Sequence, residues 1–241
     1  MRTIGVIGGM GPAAAADFYA RVVAAHGALR DQDHPPCIMY SATQVPDRTA
    51  FLLEGGADPT PELVAAARLV ESAGADFIAI PCNSAHAFLA PMRAAVSIPI
   101  LDMIALAAAA VARVVPHARR IGVLAASGSV KIGLYDGPLT EHGLEAVYPD
   151  PDVQDEVMAA IKEVKAGGAG ETSDPRLVAA VQHLGGRGAD CVIMGCTEIP
   201  LALVAEDTPV VAIDGNQTLV DATLGLSIGR LDFEEIPHAV R

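Results

Sequence analysis

Basic side chains are scarce in this chain. It carries 16 Lys and Arg against 29 Asp and Glu over 241 residues, a formal net charge of −13. Nucleic-acid affinity needs clustered Lys and Arg, so the balance argues against that partner. It argues equally against a peripheral protein held on an anionic membrane. Long apolar runs are missing too. The most apolar stretch, Ile98 to Val115, is mostly alanine and contains Pro99, Asp102 and Arg113. That falls short of the roughly 20 apolar residues a spanning helix needs. The first residues, Met1-Arg2-Thr3-Ile4-Gly5, reach glycine before a secretory apolar region could form. The four cysteines are too few and too unevenly spaced for a disulfide framework. The expectation is a soluble, cytoplasmic, reduced protein with no membrane or nucleic-acid partner.

What is present is a folding composition. Hydrophobic residues make up 51% and charged residues 19%, which excludes a disordered tail. The length suits one large domain or two small ones and can bury a sizeable core. Short apolar runs alternate with longer Ala-rich helical runs. Strands are expected at 3–8, 37–40, 77–81, 98–102, 120–125, 146–148, 191–195 and 209–214. Helices are expected at 12–29, 61–73, 84–96, 103–115, 130–143, 153–166, 175–185 and 215–228. Continuous apolar strands between helices indicate parallel sheet covered on both faces. The class is α/β, with ligands expected beyond the carboxyl ends of the strands.

The chain also repeats itself. Arg2-Thr3-Ile4-Gly5-Val6-Ile7-Gly8 resembles Arg119-Arg120-Ile121-Gly122-Val123-Leu124-Ala125. Gly74-Ala75-Asp76, with the strand and Cys82-Asn83 that follow, resembles Gly188-Ala189-Asp190 with its strand and Cys196-Thr197. Ser97-Ile98-Pro99-Ile100 resembles Thr208-Pro209-Val210-Val211. Three landmarks in one order, roughly 115 residues apart, indicate duplication. If a pseudo-two-fold axis relates the halves, equivalent strand ends face one cleft and each supplies a cysteine.

Cys82 and Cys196 each follow a buried strand, with helices expected to start near Ser84 and Glu198. Backbone N–H groups and the helix dipole there favour a thiolate and lower the thiol pKa. Two opposed thiols suit removal of a proton from one face of a carbon and delivery to the other. Cys37 and Cys191, inside strands, read as core residues. His86, four residues after Cys82, reads as a structural histidine. No metal is expected, because the Cys191/Cys196 spacing fits no zinc pattern and no paired histidine accompanies it. Asn83 and Thr197 can cap helices or hold a carboxylate. Gly9-Met10-Gly11-Pro12-Ala13-Ala14 matches a dinucleotide fingerprint only literally: the second strand ends without an acidic residue for a ribose. The loop instead offers N–H groups to a small carboxylate. Arg48 carries a fork suited to a carboxylate. Lys165 alone reads as a helix C-terminal lysine.

The motifs Ile7-Gly8-Gly9-Met10-Gly11-Pro12, Pro46-Asp47-Arg48-Thr49, Pro81-Cys82-Asn83-Ser84-Ala85-His86 and Gly195-Cys196-Thr197-Glu198 resemble those of aspartate/glutamate racemases that work without pyridoxal phosphate, most closely the aspartate branch. The resemblance reaches about residue 230. It implies two similar α/β domains with parallel sheets flanked by helices, related by a pseudo-two-fold axis, with the site between them and usually a homodimer. The expected units are residues 1–103 with 208–241, and residues 104–207. The resemblance implies Cys82 and Cys196 as the two bases and no cofactor. It places Asn83, Ser84 and Thr197 at the α-carboxylate and amino end, and Arg48 and Lys165 at the side-chain carboxylate. Met10, Gly11, Gln44, Ala85, Ser127, Ser129 and Glu198 complete the expected substrate-binding set, with Lys131 as a further cation. Glu198 stands where the glutamate branch typically has His. The expected activity is cofactor-independent racemisation of an acidic amino acid, aspartate first and glutamate second. Hydantoin racemisation, maleate isomerisation and non-catalytic binding of a small molecule stay open alternatives.

Overall fold

The inner strands are buried along almost their whole length while the outer ones turn some side chains to water, and the computed structural model, which describes residues 1–168, 170 and 172–239, pairs them in two parallel sheets. Among the described residues the order is β1 (Ile4–Gly8), α1 (Pro12–His26), β2 (Cys37–Ser41), α2 (Arg48–Glu54), α3 (Thr60–Ser72), β3 (Phe77–Ala79), α4 (Leu89–Ala95) and α5 (Met103–Val114). There follow β4 (Arg120–Ala125), α6 (Ser127–Lys131), α7 (Asp136–Glu141), β5 (Glu145–Val147), α8 (Pro151–Lys165), α9 (Pro175–Gly186), β6 (Cys191–Gly195), β7 (Val211–Asp214) and α10 (Gly215–Ser227). The helix ends have local causes. Pro12 opens α1, and Gly27 closes it at a positive φ of 62°. Asp102 caps α5 through the N–H groups of Ile104 and Ala105, and Asp214 caps α10 through those of Asn216 and Gln217.

The first sheet runs β2-β1-β3, and an isolated bridge from Ile78 to Ile100 adds a fourth position. The second runs β5-β4-β6-β7. Both place the halves' equivalent strands in the same order, β1 matching β4 and β3 matching β6. The repeated Gly-Ala-Asp has a job in each half. Asp76 accepts the Thr3 N–H at 2.5 Å, and Asp190 accepts those of Arg119 and Arg120 at 2.7 and 2.9 Å. Each carboxylate pins the start of its central strand.

Residues 98–102, expected as a strand, make only that bridge, because Asp102 already turns the chain into α5. The segment after residue 208 splits between the two sheets' layers. β7 pairs with β6 in the second sheet, Cys191 opposite Val211, although it was expected with the first unit. α10 returns to the first, where Leu219, Val220 and Leu226 pack with Ile4, Phe18 and Leu101. The Ala-rich run is explained by α5, which is buried on nearly every face and serves both layers: Met103 and Leu106 join the first, Ile104, Ala107 and Val111 the second.

Candidate active site

Cys82 lies just beyond β3 and Cys196 just beyond β6, both buried. The turns carrying them touch: the Thr197 hydroxyl reaches the Pro81 carbonyl at 3.4 Å. Neither cysteine opens an α-helix. Asn83–Phe88 is 3-10 helix, with α4 beginning only at Leu89, and Ile199–Leu201 is a single 3-10 turn. The expected macrodipole is therefore absent, and the expected lowering of the Cys196 thiol is reversed. Burial first, and the Glu198 carboxylate second, push the Cys196 pKa well up, with Lys165 acting against them. Cys196 Sγ donates to Glu198 Oε2 at 3.0 Å. Cys82 Sγ has the Ser84 hydroxyl 3.7 Å away. Cys191 sits in the core and Cys37 is half-buried; desolvation pushes both thiols up to about 11. The four cysteines are free.

Glu198 is buried at the centre of the site. Its Oε1 accepts the Gly11 N–H at 3.2 Å, so the glycine loop does meet a carboxylate, but one of the protein's own. A Cβ at Gly11 would lie 2.9 Å from that oxygen and would push the Glu198 carboxylate aside. Lys165, in the last turn of α8, keeps solvent contact. Burial, the largest influence on it, pulls its pKa down, but Glu198, Cys196 and Cys82 outweigh this and hold the ammonium above the usual range.

Arg48 opens α2, an element the sequence reading missed although Asp47 caps it through the Ala50 N–H. Its guanidinium is buried and gives three hydrogen bonds to backbone carbonyls, of Val45, Pro46 and Met10. Nε has no partner. Asn83 Nδ2 and Ser129 Oγ are likewise buried without partners. These three side chains are 6%, 3% and 1% exposed, and α2, α6 and the turn at Asn83 pack against one another. Buried donors left unpaired are costly, and these three lie on elements that pack against one another.

Tyr135 was not anticipated. It is fully buried and its hydroxyl donates to Asn83 Oδ1 at 2.5 Å, spanning the two halves. Burial, then the charge of Cys196, raise its pKa far up, so it stays a donor. Gly195 lets the ring in: a Cβ there would meet Tyr135 Cε2 at 3.0 Å. Gln154, also unanticipated, bridges the Ala125 carbonyl and the Ser127 hydroxyl. A lone Tyr and a lone Gln carry no motif that could have announced them.

Other expected residues fall in different places. Met10 and Ala85 are core side chains, Met10 contributing its carbonyl to Arg48. Gln44 is exposed and lines a hollow with Tyr40, Glu62 and Leu69, against α3 rather than at the cysteines. Lys131 donates to the Leu53 carbonyl at 2.7 Å, tying α6 to α2. His86 is buried; desolvation lowers its pKa, and its Nδ1 lies 2.9 Å from the Cys82 carbonyl, supporting that backbone. A cavity of about 360 Å³ opens beside Lys165 and Ser127, walled by Leu53, Met158 and Ile161 with Asp47, Glu54 and Asp155 at its sides.

A family profile described as Asp/Glu/Hydantoin racemase matches residues 7–223. The broad specificity amino-acid racemase RacX of Bacillus subtilis is 27% identical over 232 residues, 92% of this chain and 96% of its own. The aspartate racemase of Picrophilus torridus superposes with a TM-score of 0.81 at 28% identity, covering 97% of each chain. An aspartate racemase homologue from Pyrococcus horikoshii gives 0.75 at 25% identity, covering 95% of this chain and all of that one.

Proposed function

The chain belongs to the Asp/Glu/hydantoin racemase family, its enzymes being amino-acid racemases, and from that premise we propose that it racemises an acidic amino acid without a cofactor, Cys82 and Cys196 being the two bases. One cysteine thiolate takes the α-proton, leaving a carbanion. The thiol of the other cysteine delivers its own proton to the opposite face. Electrons stay on the substrate throughout, and the two cysteines end with their protonation exchanged. The observation that carries the reading is the pairing of buried thiols beyond equivalent strands with the unpaired donors of Arg48, Asn83 and Ser129. Those donors fit carboxylate oxygens, and hydrogen bonds to the charge that develops in the transition state are the usual source of such stabilisation. Arg48 and Lys165 would bind a second carboxylate. The reading includes a homodimer in the cytoplasm; the free cysteines fit a reducing compartment. Among the described residues no helix is long and apolar enough to cross a membrane.

One observation favours wider tolerance of side chains. Glu198 already sets a negative charge beside Lys165, and a partly apolar cavity of about 360 Å³ adjoins that lysine. The test is a chiral assay over acidic and neutral amino acids in heavy water. L-Aspartate and L-glutamate are expected to racemise fastest and to gain deuterium at Cα. Retention of optical purity by every amino acid would overturn the proposal. Equal rates for alanine and aspartate would replace the acidic substrate with the broad one.

A further inference from the structure

The two halves supply equivalent cysteines but not equivalent neighbours. Two residues after Cys82 stands Ser84, its hydroxyl 3.7 Å from Sγ. Two residues after Cys196 stands Glu198, a buried carboxylate accepting the Sγ proton at 3.0 Å. A hydroxyl can turn its proton toward a thiolate and stabilise it; a carboxylate has no proton to offer and repels one. We propose that Glu198 makes the pair chemically unequal, holding the proton on Cys196 in the resting protein and leaving Cys82 as the cysteine that ionises.

The rest of the surroundings agree. The charged groups acting on Cys196 are Glu198 on its own turn and Lys165 from α8; Tyr135, preceding α7, feels the charge of Cys196, and Cys82 and Arg48 lie around Lys165. Lys165 acts on both cysteines and on Glu198. It therefore lessens the inequality without choosing the opposite side. Tyr135 has committed its proton to Asn83 Oδ1 and offers none to Cys196. Glu198 is fixed by the Gly11 N–H on its other oxygen, so it cannot swing away from Sγ without abandoning that donor.

The inequality gives Glu198 a positioning role in the proposed racemisation, on which this inference rests. When Cys82 is the base, Cys196 is ready as the acid. When Cys196 must be the base, Cys82 first takes up a proton from solvent, and the Cys196 S–H bond breaks as an O–H bond forms at Glu198 Oε2. The thiolate so made takes the α-proton, and the Cys82 thiol supplies the other face. After that turnover Cys82 is ionised, Cys196 holds the substrate's proton, and Glu198 is protonated until it returns its proton to solvent.

Alkylation tests this directly. The full chain is treated with iodoacetamide across a pH series, and the modification rate of each cysteine is followed by peptide mass spectrometry. Midpoints, not absolute rates, are compared, which removes differences in access. Cys82 is expected to show the lower midpoint. In Glu198→Gln the Cys196 midpoint should fall by about one pH unit or more, with Cys82 barely moved. Ser84→Asp, which installs the carboxylate in the other half, should raise the Cys82 midpoint. Equal midpoints in the unaltered protein, or a Cys196 midpoint unmoved in folded Glu198→Gln, would overturn the inference. The readout is thiol ionisation alone. A protein that racemises nothing yet gives the expected midpoints would refute the activity and keep the inequality.

Discussion

Tyr135 earns its place through one atom. Among the described residues its hydroxyl is the one donor to Asn83 Oδ1, and the two lie in different halves of the chain. Tyr135→Phe keeps the ring and its contacts with Gly195 and the surrounding core but strands that oxygen. Leaving a buried acceptor unpaired costs on the order of 1–3 kcal/mol, more than the net value of the bond itself. Urea unfolding is expected to give Tyr135→Phe a stability lower by about that amount, and racemisation should slow because Asn83 adjoins Cys82. An unchanged urea midpoint would mean that Asn83 finds another donor. The repeat marks the equivalent places of the two cysteines, and each does lie just beyond its strand, β3 and β6. Tyr135 could not be read from the sequence, because its value depends on a meeting across 52 residues of chain. Glu198 was expected to bind substrate, not to be the neighbour that pushes Cys196 up, since only the fold brings its carboxylate to Sγ at 3.0 Å.

Strands proved easier to read than the helical stretches near the site. Short apolar runs with a charged residue just before them leave few alternatives, so β4 and β6 match their expected bounds residue for residue. The expected helix at 130–143 divides into α6 and α7, with Gly133 at a positive φ of 59° between them. The expected helix from Ser84 is 3-10 for its first turns, which keeps Asn83 facing Tyr135. Such breaks serve the cleft and have no periodic signature. The Gly-Ala-Asp landmark was visible as a repeat, yet its purpose emerges only in the elements. Asp190 accepts two N–H groups at the start of β4, and those of Arg120 and then Arg119 lower its pKa below the ordinary carboxylate value. A depressed folded pKa means stability that is present above the unfolded value of about 3.9 and is lost as pH falls through the folded one. Asp190→Asn keeps an acceptor and removes the charge. It should unfold at lower urea than the parent at pH 7, and the difference should shrink as pH falls below the unfolded carboxylate value of about 3.9. A difference independent of pH would assign the pinning to shape alone. The carboxylate is exposed, so the effect at pH 7 should be modest, within about 1 kcal/mol.

At the scale of the whole molecule, two sheets invite the thought of two independent folding units, but the helices forbid it. α5 is buried between layers and contributes side chains to both cores. β7 closes the second sheet, and its last residue caps α10, whose apolar face fills the first core. Asp214 is also held by Arg21 of α1, so the end of a second-sheet strand is tied to a first-sheet helix. Across the cleft run the pairs Gly11–Glu198, Asn83–Tyr135 and Pro81–Thr197. Melting either layer would strip apolar surface from α5 and α10 and break these contacts together, each core side chain exposed costing about 1.5–3 kcal/mol. Unfolding should therefore be one transition. The tyrosines report on both halves, Tyr19 and Tyr40 from the first and Tyr135 and Tyr148 from the second, and no tryptophan masks them. In a urea titration the tyrosine near-ultraviolet signal and the far-ultraviolet circular dichroism are expected to give coincident midpoints and one slope. Two separated midpoints would show that the layers melt independently, and α5 would then have to retain enough partners within one layer to stay buried while the other is gone.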